Sequence, residues 1–214
     1  MSDHGFHSFR TNFSVNTWLV RNGYLSVAGQ SDAATAFTDE KYFINMKTGG
    51  YNYDWSKSKA YGLGLGMIFL NMQGREGKGI VTQSERAALL DELRTKLMAV
   101  TEPATGDKVF SNVYVNVDPK GAAVKDAPDI QLGYADGYQT DKVSAAGAAP
   151  MELFSPNTNK WSGEHASSDV AITQGMFFCN KVVKGEPGVM GLGVTTLKDL
   201  GAKVPGDFEG KGLL

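Results

Sequence analysis

Cysteine, histidine and long apolar runs are all scarce in this chain of 214 residues. The single cysteine, Cys179, excludes an intrachain disulfide. No apolar run approaches the roughly 20 residues that a membrane-spanning helix requires, so no membrane segment is predicted. The net charge of −2 provides no excess of basic residues, and no nucleic-acid groove is evident. With these features excluded, the sequence is that of a globular protein with an enzymatic or a binding role.

The composition is that of a globular protein with many tight turns. Hydrophobic residues make up 42% of the chain and charged residues 21%. The chain has 26 glycines among its 214 residues, a share of about 12% against the usual share of about 7%. This excess favours turns and close backbone approaches. The length suits one large domain with an irregular excursion. No signal peptide pattern is visible, and the compartment, cytoplasmic or exported, stays undetermined because an export signal would precede this chain.

The clearest helix is predicted to begin at Thr82, because Thr82 and Glu85 have the spacing of a capping box. Leu90, Leu93 and Leu97 follow with the i, i+3 and i+7 spacing of one helix face. Shorter helices are predicted at residues 16–20 and 195–200. Short apolar segments predict strands at residues 63–70, 113–117, 130–134 and 176–179. Strands that alternate with helices indicate an α/β sheet with crossovers.

Two further expectations follow from these segments. Cys179 ends the last predicted strand, so it is expected to be a buried thiol. Residues 27–59 are polar and interrupted by a glycine pair, which predicts an irregular excursion from the domain.

The chain has three histidines, His4, His7 and His165, and their scarcity makes each of them informative. Asp3 and His4 place a carboxylate and an imidazole on one turn, a pair suited to Zn²⁺ or another divalent transition ion. The alternative is a turn whose histidine is hydrogen-bonded locally. His7 is expected to be a surface side chain.

His165 closes the segment Lys-Trp-Ser-Gly-Glu-His at residues 160–165. Either His165 is a metal ligand, or the segment is a surface loop whose Trp161 packs on the core. Arg75, in the segment Gly-Arg-Glu-Gly, could bind a phosphate group through two hydrogen bonds. The alternative for Arg75 is a structural salt bridge in a turn.

Some aromatic and acidic residues have weaker signals. Trp55, Tyr134 and Tyr138 could line a substrate pocket, with packing in the core as the alternative for each. Asp129 follows Pro128 and is expected to cap a turn.

Residues 2–6, Ser-Asp-His-Gly-Phe, resemble the Ser-Asp-His-Gly motif of the alkaline phosphatase superfamily. The chain is most similar to the type I phosphodiesterase/nucleotide pyrophosphatase branch, and nearest to predicted phosphohydrolase/phosphomutase members. The similarity continues at residues 19–25, 54–61, 71–77, 127–134, 157–165 and 197–213. It implies an α/β fold in which a partial alkaline-phosphatase-like sheet is sandwiched by helices and the N-terminal half is missing. Residues 1–214 would form the C-terminal part of one such domain, with the excursion near 27–59.

The resemblance also implies the metal ligands. The acid and the histidine of the first motif bind one ion in the family, and they correspond to Asp3 and His4. The later histidine, a ligand of the other ion, corresponds to His165, although Glu164 and Ala166 depart from the usual neighbours. The implied cofactors are two divalent ions, Zn²⁺ with Mn²⁺ or Fe²⁺ as alternatives.

The implied function is metal-dependent cleavage of a small phosphate ester, in which two ions clamp the phosphoryl oxygens. The Thr or Ser nucleophile of the family precedes the first motif, so no catalytic residue is assigned to this chain. The chain would be a phosphoesterase fragment, a mis-started gene product, or one part of a split protein with a separate N-terminal half as its partner. The alternative is a non-catalytic binding or scaffold module that retains the half-fold.

We expect that the purified chain with added Zn²⁺ or Mn²⁺ does not hydrolyse p-nitrophenyl phosphate or its bis ester, because the implied nucleophile is absent. Release of p-nitrophenol, followed by its absorbance, measures this. Metal-dependent turnover that His165→Ala abolishes would contradict the expectation.

Overall fold

The computed structural model of the protein describes residues 1–28, 44–45, 50–116, 124–165 and 169–214. The described residues form two compact units. The larger unit is Phe6–Thr173, and the smaller unit combines Met1–Gly5 with Gln174–Leu214. Most of the predicted excursion at 27–59 lies outside the described residues. Among the residues that the structure describes, no helix has both the length and the apolar character needed to cross a bilayer.

The described elements give a mixed α/β class, as the sequence predicts. The helices are α1 (Val15–Arg21), α2 (Gln83–Met98), α3 (Lys142–Ala145) and α4 (Val189–Asp199), with a 3-10 turn at Val124–Asp126. The first strands are β1 (His7–Phe13), β2 (Ile44–Asn45), β3 (Gly50–Tyr51), β4 (Ala60–Gly62) and β5 (Met67–Leu70). The later strands are β6 (Phe110–Val115), β7 (Ile130–Tyr134), β8 (Gly137–Thr140), β9 (Phe154–Pro156) and β10 (Gly163–Glu164).

Strand β1 is the centre of one sheet in the larger unit. It runs parallel to β8 on one edge and antiparallel to β9 and β10 on the other. Phe13, at the end of β1, is paired with Thr140 of β8 and with Phe154 of β9. At the other end of β1, His7 is opposite Glu164. This pairing fixes the position of the chain just before His165.

The second sheet has the order β4-β5-β7-β6, and its described pairings are antiparallel. Helix α2 packs on β6 and buries the leucines of one face, Leu89, Leu90, Leu93 and Leu97. The capping box is present, since the Thr82 backbone N–H donates to Glu85 Oε2 at 2.9 Å. Hydrogen bonds from the Thr82 hydroxyl and backbone lower the pKa of Glu85. The predicted helix is confirmed.

The apolar run at residues 63–70 is only partly a strand. Strand β5 begins at Met67, and residues 63–66 form the turn of a hairpin with β4. Gly64 and Gly66 have φ values of 81° and 72°, a left-handed conformation that strands do not adopt. The prediction of one long strand was therefore wrong at these glycines.

The strand predicted at residues 176–179 is also absent from the described secondary structure. Phe178 is 81% exposed and Cys179 is exposed, so the expectation of a buried thiol was wrong. An apolar run becomes a buried strand only where a neighbouring strand pairs with it. In this segment Met176 accepts one backbone hydrogen bond, from the Ser2 N–H, and its own N–H donates to the Ser2 hydroxyl, so no strand ladder forms among the described residues.

Helix α4 organises the smaller unit and begins earlier than the predicted residues 195–200. Thr195 in α4 donates its hydroxyl to the Gly191 carbonyl at 2.6 Å and accepts the Leu213 N–H at 2.8 Å. The Leu213 side chain lies close to Gly191, where a Cβ would meet the Lys211 carbonyl at 2.7 Å. The C-terminal segment therefore requires a glycine at position 191.

Asn16 joins separate elements of the larger unit and is 0% exposed. Its Oδ1 accepts the Gly62 N–H at 2.6 Å, and its Nδ2 donates to the Gly62 carbonyl at 2.9 Å. The side-chain amide thus satisfies both backbone groups of Gly62 in β4, as a neighbouring strand would. The Asn16 N–H also donates to Ser144 Oγ at 3.0 Å, which links α1 to α3.

Asp129 precedes β7 and is only 2% exposed. Its carboxylate lies between helix α2 and the second sheet. Its Oδ2 accepts hydrogen bonds from Arg75 Nη2 and from the Leu70 N–H, both at 2.7 Å. Its Oδ1 accepts from Arg86 Nη2 at 2.9 Å. Two guanidinium groups therefore offset the cost of burying the carboxylate. Asp129 is the centre of an ion-pair network, where the sequence suggested a turn cap.

Replacing Asp129 with Asn is expected to lower the free energy of unfolding by about 3–5 kcal/mol, because the buried Arg86 and the partly buried Arg75 lose their shared counter-charge. Urea denaturation followed by circular dichroism measures the change. Asp91→Asn, at an exposed position of α2, is the matched control and should cost less than about 0.5 kcal/mol. Equal effects of the two substitutions would show that Asp129 does not have this role.

Candidate functional site

The Asp3–His4 turn lies in the smaller unit, where two hydrogen bonds to one residue hold its start. The Ser2 N–H donates to the Met176 carbonyl, and the Met176 N–H donates to Ser2 Oγ, both at 2.8 Å. Gly175 allows this close approach, because a Cβ there would meet the Ser2 carbonyl oxygen at 2.6 Å. One backbone hydrogen bond and one hydrogen bond to the Ser2 hydroxyl therefore fix the turn just before the candidate ligands.

The side chains of Asp3 and His4 face each other. His4 Nε2 lies 3.4 Å from Asp3 Oδ2, and the His4 N–H donates to Asp3 Oδ1 at 3.1 Å. On the other side of the ring, His4 Nδ1 lies 3.0 Å from the Gly5 carbonyl oxygen. The Asp3 side chain is 79% exposed and that of His4 is 32% exposed, so both can be reached from solvent.

These donors fit a transition-metal ion. Two ligands bound at about 2.1 Å to one tetrahedral ion lie about 3.4 Å apart, and Asp3 Oδ2 and His4 Nε2 have that separation. Histidines that bind metals commonly donate their other ring N–H to a carbonyl, which orients the ring. The Gly5 carbonyl is placed to do this for His4.

His165 belongs to the larger unit and directly follows β10. Its exposed ring packs edge-on against Phe6, with centroids 5.1 Å apart and an interplanar angle of 67°. Trp161 in the same segment is 83% exposed, so it does not pack on the core as the surface-loop alternative required. The Phe9 N–H donates to the Ser162 carbonyl at 2.8 Å and ties the segment to β1.

The structure thus brings Asp3 and His4 together in one unit and positions His165 in the other through β10. Within the described parts of the chain, no three side chains among His, Cys, Asp and Glu form a group that could hold an ion.

His7 is the histidine that sequence reasoning placed wrongly. Its side chain is only 8% exposed, and its Nδ1 lies 3.1 Å from Asp136 Oδ1 and 3.1 Å from the Ser8 carbonyl oxygen. The alternation of side chains along β1 does not predict the burial of His7, because its partner Asp136 lies in a distant turn.

Arg75 is held by a structural network, which is the alternative that the sequence left open. Its Nε donates to Glu76 Oε1 at 2.7 Å, and its Nη2 donates to the Leu70 carbonyl at 2.6 Å as well as to Asp129. Arg75 also lines a cavity of about 350 Å³ together with Arg86 and other polar residues. Any contact with a phosphate group would have to use the remaining nitrogen, Nη1.

A larger cavity of about 680 Å³ lies in the same unit and is lined by Tyr53, Trp55 and Tyr61 among others. Trp55 therefore faces a cavity, whereas Tyr134 and Tyr138 are 0% and 1% exposed and pack in the core. Desolvation, with the nearby Glu76 carboxylate, raises the pKa of Tyr61 to about 12. The Tyr61 hydroxyl consequently stays protonated at neutral pH.

Comparisons of the chain with protein-family models, with curated proteins and with solved structures found no match. The motif residues and their geometry are therefore the support for a functional proposal.

Proposed function

We propose that this chain supplies metal ligands to a phosphoesterase and corresponds to the C-terminal part of an alkaline-phosphatase-like domain. Asp3 and His4 bind one divalent ion, and His165 is a ligand of a second one, as the family resemblance implies. The parent protein cleaves phosphate esters with a Thr or Ser nucleophile that this chain does not contain. Zn²⁺ is the preferred ion, with Mn²⁺ and Fe²⁺ as alternatives.

The observation that supports the proposal most directly is the separation of 3.4 Å between Asp3 Oδ2 and His4 Nε2. The Gly5 carbonyl can only accept a hydrogen bond, so the tautomer of His4 with its proton on Nδ1 would donate to it. In that tautomer Nε2 is the metal-binding atom of the ring. A metal ion bound to Nε2 and to Asp3 Oδ2 would lie between these two atoms.

Each residue has a separate role in this proposal. When bound, the ions would withdraw charge from the phosphoryl and attacking oxygens. Asp3 contributes a negative charge that raises the affinity for a cation, and its Oδ1 keeps the carboxylate in place by accepting the His4 N–H. The Gly5 carbonyl orients the His4 ring. Arg75 could offer Nη1 to a phosphate oxygen, while its Nε and Nη2 make structural contacts.

The chain alone is expected to bind Co²⁺ or Zn²⁺ through Asp3 and His4, and His4→Ala or Asp3→Ala should weaken this binding at least tenfold. Each substitution removes one of two adjacent donors. Equilibrium dialysis gives the affinity, and the visible spectrum of Co²⁺ reports the coordination geometry.

Asp136→Ala and His7→Gln are the matched controls, since they alter the other Asp–His pair of the chain. They should leave the affinity for Co²⁺ unchanged. If the His4 and Asp3 variants bind as tightly as the unaltered chain, the assignment of these ligands is wrong, and a binding or scaffold role becomes the better proposal.

A further inference from the structure

The cavity of about 680 Å³ in the larger unit is not used by the proposed phosphoesterase chemistry. Its volume falls within the range of about 300–1,000 Å³ that is typical of small-molecule sites. Its walls come from the segment that carries Tyr53 and Trp55, from the β4–β5 hairpin, and from residues 76–78. All of these belong to one compact unit.

The aromatic walls support one another. The rings of Trp55 and Tyr53 meet edge-on at 5.7 Å and 80°, and those of Trp55 and Tyr61 at 5.4 Å and 88°. Behind Tyr61, Phe69 stacks at 5.4 Å and 15°. These packed rings lose little side-chain freedom when a ligand binds, because packing already restricts their rotamers.

The two tyrosine hydroxyls and the Asn71 amide at the cavity are already bonded to the protein. The Tyr53 hydroxyl donates to the Gly147 carbonyl at 2.9 Å, and the Tyr61 hydroxyl donates to Glu76 Oε1 at 3.3 Å. Asn71 Nδ2 donates to the Trp55 carbonyl at 2.9 Å. The cavity therefore offers a ligand mainly ring surface and little competing hydrogen-bonding capacity.

The charges around the cavity favour an anion over a cation. Glu76 accepts from Arg75 Nε and from the Met72 N–H, both at 2.7 Å, so its charge is already compensated. Lys78 also lines the cavity and is exposed. A cationic ligand would be repelled by Lys78 and would find the Glu76 carboxylate already paired with Arg75. An anionic group could instead approach the Lys78 ammonium group.

We propose that this cavity binds a small aromatic molecule that carries one anionic group. The rings of the ligand pack against Trp55 and Tyr61, and the anionic group lies beside Lys78. Aromatic contacts supply most of the affinity, and the exposed charge pair selects the anion with a smaller contribution.

The test uses 2-naphthoate, its neutral analogue 2-naphthamide and its cationic analogue 2-(aminomethyl)naphthalene, with the full chain in equilibrium dialysis. Saturable binding is expected in the order anion, neutral molecule, cation. Lys78→Gln should weaken the binding of naphthoate about two- to fivefold and should not change the binding of naphthamide. A preference for the cation, or no saturable binding, would overturn the proposal.

A second variant tests the location. A Cβ on Gly77 meets no atom within 4 Å, and Gly77 lines the cavity, so Gly77→Leu adds bulk at the cavity lining without a clash at its Cβ. This substitution should weaken the binding of naphthoate at least tenfold. Gly206→Leu, at a glycine of the smaller unit with equally open space, is the control and should have no effect. Equal binding by both variants would exclude this cavity, whatever the outcome for metal binding by Asp3 and His4.

Discussion

The larger unit depends above all on the buried carboxylate of Asp129. A lone charge in this position would be strongly unfavourable, and Arg75 and Arg86 compensate it from two different segments. Arg86 also donates to the Asn116 carbonyl at 2.6 Å, so the end of β6 is tied to α2. Arg75 extends the network to Glu76, which in turn accepts from Tyr61. The contacts that stabilise the second sheet therefore also position one wall of the aromatic cavity.

Two kinds of constraint position the candidate metal ligands. The geometry of Asp3 and His4 is local, since adjacent residues and the Gly5 carbonyl determine it. The position of His165 is a tertiary property, because it follows from the pairing of β10 with β1. A local pair keeps its donor separation in any structure that preserves the turn. A ligand positioned by a two-residue strand depends instead on the stability of the sheet.

The sequence predicted the elements whose signals are local. Helix α2 was predictable because its cap and its leucine spacing both lie within the helix. The exposure of His7 and Cys179 was not predictable from local signals. His7 is shielded near Asp136, far along the chain, and Cys179 is exposed because no described strand pairs with its segment. The network around Asp129 was missed for the same reason: Arg75 and Arg86 are 54 and 43 positions away. The Asp-His motif was found from sequence, but only coordinates give the donor separation.

The two proposed binding properties are physically separable. Asp3 and His4 belong to the smaller unit, where a carboxylate oxygen and an imidazole nitrogen would bind an ion mainly through charge and direct coordination. The aromatic cavity belongs to the larger unit and would act mainly through apolar contact, which depends little on pH near neutrality. Loss of metal binding in the His4→Ala variant while naphthoate binding persists would therefore separate two sites in one chain.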